Sequence, residues 1–96
     1  MHELDGVWNV KRLGGLLPPM AGVQKRISGS SGETRIGPFL GVPFDVVGHE
    51  LRYRPPFQGF VDELKPDGAR WLGRATFRGR AFGRFALQRN SDEGGT

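Results

Sequence analysis

Residues 70–89 read RWLGRATFRGRAFGRFALQR. Side chains on a β-strand alternate between its two faces, and this stretch divides into two strands around a glycine-containing turn. In the first, Trp71, Gly73, Ala75 and Phe77 share one face, while Arg70, Arg74 and Arg78 share the other. In the second, Gly83, Phe85, Leu87 and Arg89 alternate with Phe82, Arg84, Ala86 and Gln88. A two-residue turn at 79–80 would set Arg84 opposite Ala75 and Phe85 opposite Arg74, mixing charge into both faces. A three-residue turn, Gly79-Arg80-Ala81, instead collects the odd-numbered aromatics on one face and Arg70, Arg74, Arg78 and Arg84 on the other. A one-residue slip exchanges faces, so the need to bury one face selects this second register.

The rest of the chain reads the same way. No window free of Gly and Pro carries apolar residues at helical spacing. Period-2 runs bounded by turn residues recur instead, over 6–13, 23–28, 34–36, 42–47, 50–54, 59–65, 69–78 and 82–89. Gly48-His49 fits a two-residue hairpin turn, and Pro66-Asp67-Gly68 has the composition of a turn. Eight strands of about seven residues with loops of about four just fit the 96-residue chain. The reading is all-β, a sandwich or barrel, forming one domain over residues 1–90 with SDEGGT (91–96) as a disordered tail.

Composition narrows the classes. The 16 glycines and 7 prolines lie between the β-like runs without a period, as turns rather than low complexity. The chain has no cysteine, which excludes disulfides and thiolate metal sites. No apolar run approaches the roughly 18 residues of a spanning helix, and the charged first dozen residues do not resemble a signal peptide. A soluble, cytoplasmic protein without a transmembrane segment is expected. The net charge is +4, carried mostly by arginine. Arginine suits phosphates and carboxylates, although an Arg-, Gly- and Pro-rich composition also follows from GC-rich coding.

Catalytic chemistry finds no support. His49 sits in a turn and His2 at the terminus, with no third ligand to complete a metal site. The serines of GSSG (29–32) precede a strand rather than a helix and have no base beside them. No catalytic residue, metal or cofactor is expected, and the protein is not expected to be an enzyme.

Two surfaces remain. The inward set includes Trp8, Phe44, Tyr53, Phe60, Trp71, Phe77 and Phe85, which form either a filled core or the wall of a ligand pocket. Asp62 has two placements. It points inward with Phe60 and Leu64, needing a partner such as Arg89, Arg52 or Tyr53, or a shifted register turns Val61 inward and leaves it at the surface. The second surface is the face bearing Arg70, Arg74, Arg78 and Arg84, either a solvated exterior or an anion and nucleic-acid stripe in the manner of an OB-fold. Few aromatics join those arginines, and single-strand binders need aromatics for stacking. The uncharged loop GGLLPPMAG (14–22) either plugs a barrel end or forms an exposed apolar patch, and the plug is favoured.

Leu4-Asp5-Gly6-Val7-Trp8-Asn9-Val10 resembles the opening strand of the calycins, the lipocalin and fatty-acid-binding families. In those families a Gly-x-Trp begins the barrel, the Trp closes one end, and a basic residue of the last strand covers it. Arg89 ends the last strand here and takes that role by resemblance. The resemblance implies a small lipocalin-like, antiparallel up-and-down β-barrel that binds a small hydrophobic or amphipathic molecule. The chain is much shorter than typical members and lacks their helices, so the barrel either has a narrow cavity or closes against a second copy as a homodimer. A filled barrel acting in self-association is a further reading.

Overall fold

The structure, a computed structural model, describes residues 3–38 and 40–90. The expected tail at 91–96 and His2 lie outside the described residues. Eight strands run in order: β1 (Gly6–Gly15), β2 (Val23–Ser28), β3 (Ser31–Ile36), β4 (Leu40–Val47), β5 (Glu50–Tyr53), β6 (Phe60–Asp67), β7 (Arg70–Phe77) and β8 (Arg80–Arg89). Each pairs antiparallel with the next, and β8 returns to pair with β1, giving a closed up-and-down barrel. Closure is achieved within one chain, with Trp8 opposite Arg89 and Val10 opposite Leu87. Among the described residues no helix is long and apolar enough to cross a membrane.

The final hairpin divides its faces as expected but by a different device. Trp71 pairs with Leu87, Gly73 with Phe85 and Ala75 with Gly83, odd with odd. The turn, however, is the two-residue Arg78-Gly79, and Phe77 pairs with Arg80. Both turn residues have positive φ, 51° and 84°, as the strand-matching type I′ turn requires. Alone, that turn would mix the faces. A bulge restores them: Ala75 pairs with Gly83 but Thr76 with Ala81, leaving Phe82 as the extra residue of β8.

Several other boundaries differ from expectation: β1 runs on through Gly14 and Gly15, which were expected in the loop, and β4 and β8 each begin two residues early. β3 begins at Ser31, because Gly29-Ser30 suffices as the turn from β2. Pro66 continues β6 opposite Trp71 instead of opening a turn. Of β6, only Val61, Asp62 and Glu63 pair with β5, so Pro66 stands where the strand has one neighbour and its missing N–H is tolerated.

The interior divides into two halves. At the end holding the start of β1 and the end of β8, Leu4, Trp8, Ile27, Leu51, Leu64 and Leu87 are buried in one cluster with Phe44 and Trp71, which makes this half solid apart from a pocket of about 360 Å³ beside Leu4, Val46 and His49. Trp8 is 2% exposed, and its indole Nε1 donates to the Leu4 carbonyl at 2.8 Å. The Arg89 guanidinium covers the indole 4.0 Å from its centre and donates to the Asp5 carbonyl at 2.6 Å. Gly6, with φ of 132°, leaves the space this arginine occupies; a Cβ there would collide with Arg89 Nη1. The Gly-x-Trp pattern thus has a local physical reason: the glycine clears the path of the cation that covers the tryptophan.

Candidate functional site

The other half of the barrel is hollow. A cavity of about 570 Å³ lies among Val10, Val23, Val42, Ala75, Phe82 and Phe85 and opens at the end where β5 stops and β6 starts. Its size is within the range of small-molecule sites. The loop following β1 folds across part of the opening, with Leu17, Pro18, Pro19 and Met20 on the cavity wall. Arg12 fastens this loop, donating to the carbonyls of Gly15 at 2.6 Å and Leu17 at 2.8 Å. Leu17 packs where Gly83 has no side chain, while Leu16 points outward and is 85% exposed.

Where the hollow meets the solid half, four polar side chains converge: Lys25 of β2, Thr34 of β3, Tyr53 of β5 and Asp62 of β6. Among the described residues every other side chain on the cavity wall is apolar. Lys25 is directly opposite Thr34 in the β2–β3 ladder, which places both heads side by side. The Lys25 ammonium donates to Thr34 Oγ1 and Tyr53 Oη, each at 2.8 Å, and forms an ion pair with Asp62 Oδ2 at 3.0 Å. Tyr53 donates to Asp62 Oδ2 at 3.1 Å. Its only proton is then committed, so Thr34 is the donor in the 2.7 Å contact between the two hydroxyls. The rings of Phe44, Tyr53 and Phe85 surround the ammonium at 5.4–5.7 Å from their centres, within reach of cation–π attraction.

Burying a lysine normally favours its neutral form. Burial does pull the Lys25 pKa down, but attraction to Asp62, followed by Tyr53, outweighs it and holds the ammonium above its ordinary value of 10.5. For Tyr53, burial is the largest influence and pushes the phenol above its ordinary value of 10.0, against the opposing pull of Lys25. At neutral pH the cluster holds a charged lysine and a neutral phenol.

Of the eight side chains expected to line a pocket, Tyr53, Phe60, Asp62 and Phe85 lie on the cavity wall. Trp8, Phe44 and Trp71 are in the solid half. Phe77 stands on the rim, 39% exposed, with its ring centre 4.6 Å from that of Phe60. It is on the inward-facing side of β7, but the strand has already reached the mouth there. Asp62 takes the inward placement, and of the partners considered for it Tyr53 is the one that binds it. Arg52 pairs with Glu50, and Arg89 covers Trp8. Lys25 and Thr34 escaped the sequence reading. The signal for Lys25 was present: Val23 and Ile27 flank it at period 2, and that alternation puts the lysine on their inward face.

The arginine stripe is partly neutralised. Arg70 pairs with Asp67 at 2.9 Å and Arg74 with Glu63 at 2.8 Å. Arg84 stands across the ladder from Arg74, and Arg78 lies in the turn over the Phe77 ring at 5.3 Å. Among the described residues no three His, Asp or Glu side chains converge as a metal ion would require. Comparison with protein-family models, curated proteins and solved structures returned no match.

Proposed function

We propose that the protein binds a small apolar or amphipathic molecule in the open half of its barrel, without chemical transformation. The observation that carries this reading is the cavity itself: an aliphatic and aromatic wall with its few polar groups gathered at one place. That is the arrangement by which small-molecule sites combine affinity from apolar burial with orientation from a few polar contacts. The calycin resemblance supports the same reading, since Gly6, Trp8 and Arg89 interact as that family's barrel-closing group implies. On this reading the chain is a reduced calycin whose filled end is a floor and whose open end admits the ligand. The ion pairs that occupy Arg70 and Arg74 weigh against the anion-stripe alternative.

Titration with the neutral apolar dye Nile red tests the proposal. Saturable binding at one dye per chain is expected, with loss of binding in Val42→Trp, which fills the cavity, and retention in Arg74→Ala on the outer face. Absence of saturable binding, or binding indifferent to Val42→Trp in a folded variant, overturns it.

A further inference from the structure

The polar cluster is asymmetric in what it can still offer. All three Lys25 protons are directed at Thr34, Tyr53 and Asp62, and the single protons of Tyr53 and Thr34 are used within the cluster. No donor capacity is left over. Acceptor capacity is. Asp62 Oδ2 receives both Lys25 and Tyr53, while among the described residues no side-chain or backbone donor reaches Oδ1. The Asp62 side chain is only 10% exposed and stands on the cavity wall. Among the described residues every side-chain oxygen or nitrogen cut off from the surroundings has a partner, so the unpartnered Oδ1 keeps accessible surface on a side chain that lines the cavity. A nearly buried carboxylate oxygen without a donor is costly, and a ligand that supplies one gains a charge-assisted bond.

Resting on the ligand-binding reading above, we infer that the ligand is an apolar molecule ending in a neutral hydrogen-bond donor, a hydroxyl or N–H, which it presents to Asp62 Oδ1. A carboxylate ligand, such as a fatty acid, has nothing to accept from: it must take a Lys25 proton from Thr34, Tyr53 or Asp62 and bring a negative charge beside Asp62. A cationic head fares little better. Lys25 and Asp62 already neutralise each other, so an added ammonium would be buried beside Lys25 without a countercharge of its own. A neutral donor avoids both costs.

Displacement of Nile red by decane, decanol, decanoate and decylamine at neutral pH separates these cases. Decanol is expected to compete at least about tenfold more tightly than decanoate, decylamine or decane, the gain of one hydrogen bond to an ionised acceptor. Single substitutions of the pair risk unfolding, and removing Asp62 frees the Tyr53 proton, so the control is Lys25→Met/Thr34→Val/Tyr53→Phe/Asp62→Leu, in which the whole cluster is apolar and the preference for decanol over decane is expected to vanish. Tighter binding of decanoate or decylamine than of decanol overturns the inference and leaves the ligand-binding reading standing. So does a preference for decanol that survives in the fourfold variant. If none of the four displaces bound dye, or no dye binds, the ligand-binding reading falls and the inference with it.

Discussion

The Arg89 guanidinium sits 4.0 Å from the centre of the Trp8 indole, on the residue directly opposite it in the β1–β8 ladder. One contact therefore joins the first strand to the last and covers the barrel floor. Trp8→Ala is expected to destabilise the fold by about 3–5 kcal/mol, as for other large aromatics in cores. Arg89→Ala should cost about 0.5–2 kcal/mol, the range for a cation over an indole. In urea denaturation the double variant should lose less than the sum of the two, since each single change removes the same contact. A loss below about 1 kcal/mol for Trp8→Ala would be incompatible with its 2% exposure.

Lys25 and Asp62 form an ion pair inside an apolar barrel, and such pairs are far more costly to break than to replace. Lys25→Met alone should lower stability by about 3–5 kcal/mol, because Asp62 is left charged and without its cation. The double change Lys25→Met/Asp62→Leu should recover most of that loss. Chemical denaturation of the two variants side by side checks the order, which would be reversed if the losses simply added.

Alkaline pH should unfold the protein through the same cluster. Lys25 has a folded pKa raised above 10.5 and Tyr53 one raised above 10.0. Both retain protons in the fold that the unfolded chain releases. Their contribution is complete below pH 10 and is lost as pH rises through the folded values. The expected slope is a loss of about 1.4 kcal/mol per pH unit for each proton retained. Melting temperature measured on both sides of pH 10 reads this directly, and Tyr53→Phe should flatten the curve.

Arg78 is the one described residue other than glycine with positive φ, at 51°. Asparagine tolerates this conformation and, followed by Gly79, forms the favoured type I′ pair. Arg78→Asn should therefore raise stability by about 0.5–1 kcal/mol, seen as a higher denaturation midpoint with an unchanged slope.

Gly73 faces the Phe85 ring so closely that an added Cβ would overlap it. Gly73→Ala should cost about 1–3 kcal/mol through overpacking and shift Phe85, a wall residue, towards the cavity. Weaker Nile red binding together with a lower melting temperature is the expected pair of readouts.

How much of this was legible beforehand differs between residues. The alternation over 70–89 was enough to assign faces, because burial of one face forbids an odd slip. It could not distinguish a longer turn from a short turn plus a bulge at Phe82, since both preserve parity. The partnership of Trp8 and Arg89 was expected from the resemblance of residues 4–10 to the calycins, and the two side chains do meet. Lys25 was not identified, although its alternation with Val23 and Ile27 carried the information, because a lysine amid aliphatics is ordinarily a surface residue.

The sequence by itself determined an all-β chain of about eight short strands and the two faces of the final hairpin. Those follow from period-2 patterning and glycine-containing turns, which act over a few residues. Only the tertiary structure decided that the strands close into a barrel, that it is solid at one end and hollow at the other, and that Lys25, Thr34, Tyr53 and Asp62 meet at the boundary. They come from four strands spread over 38 positions of the chain. Their meeting depends on register and stagger across the whole barrel, which no local pattern encodes.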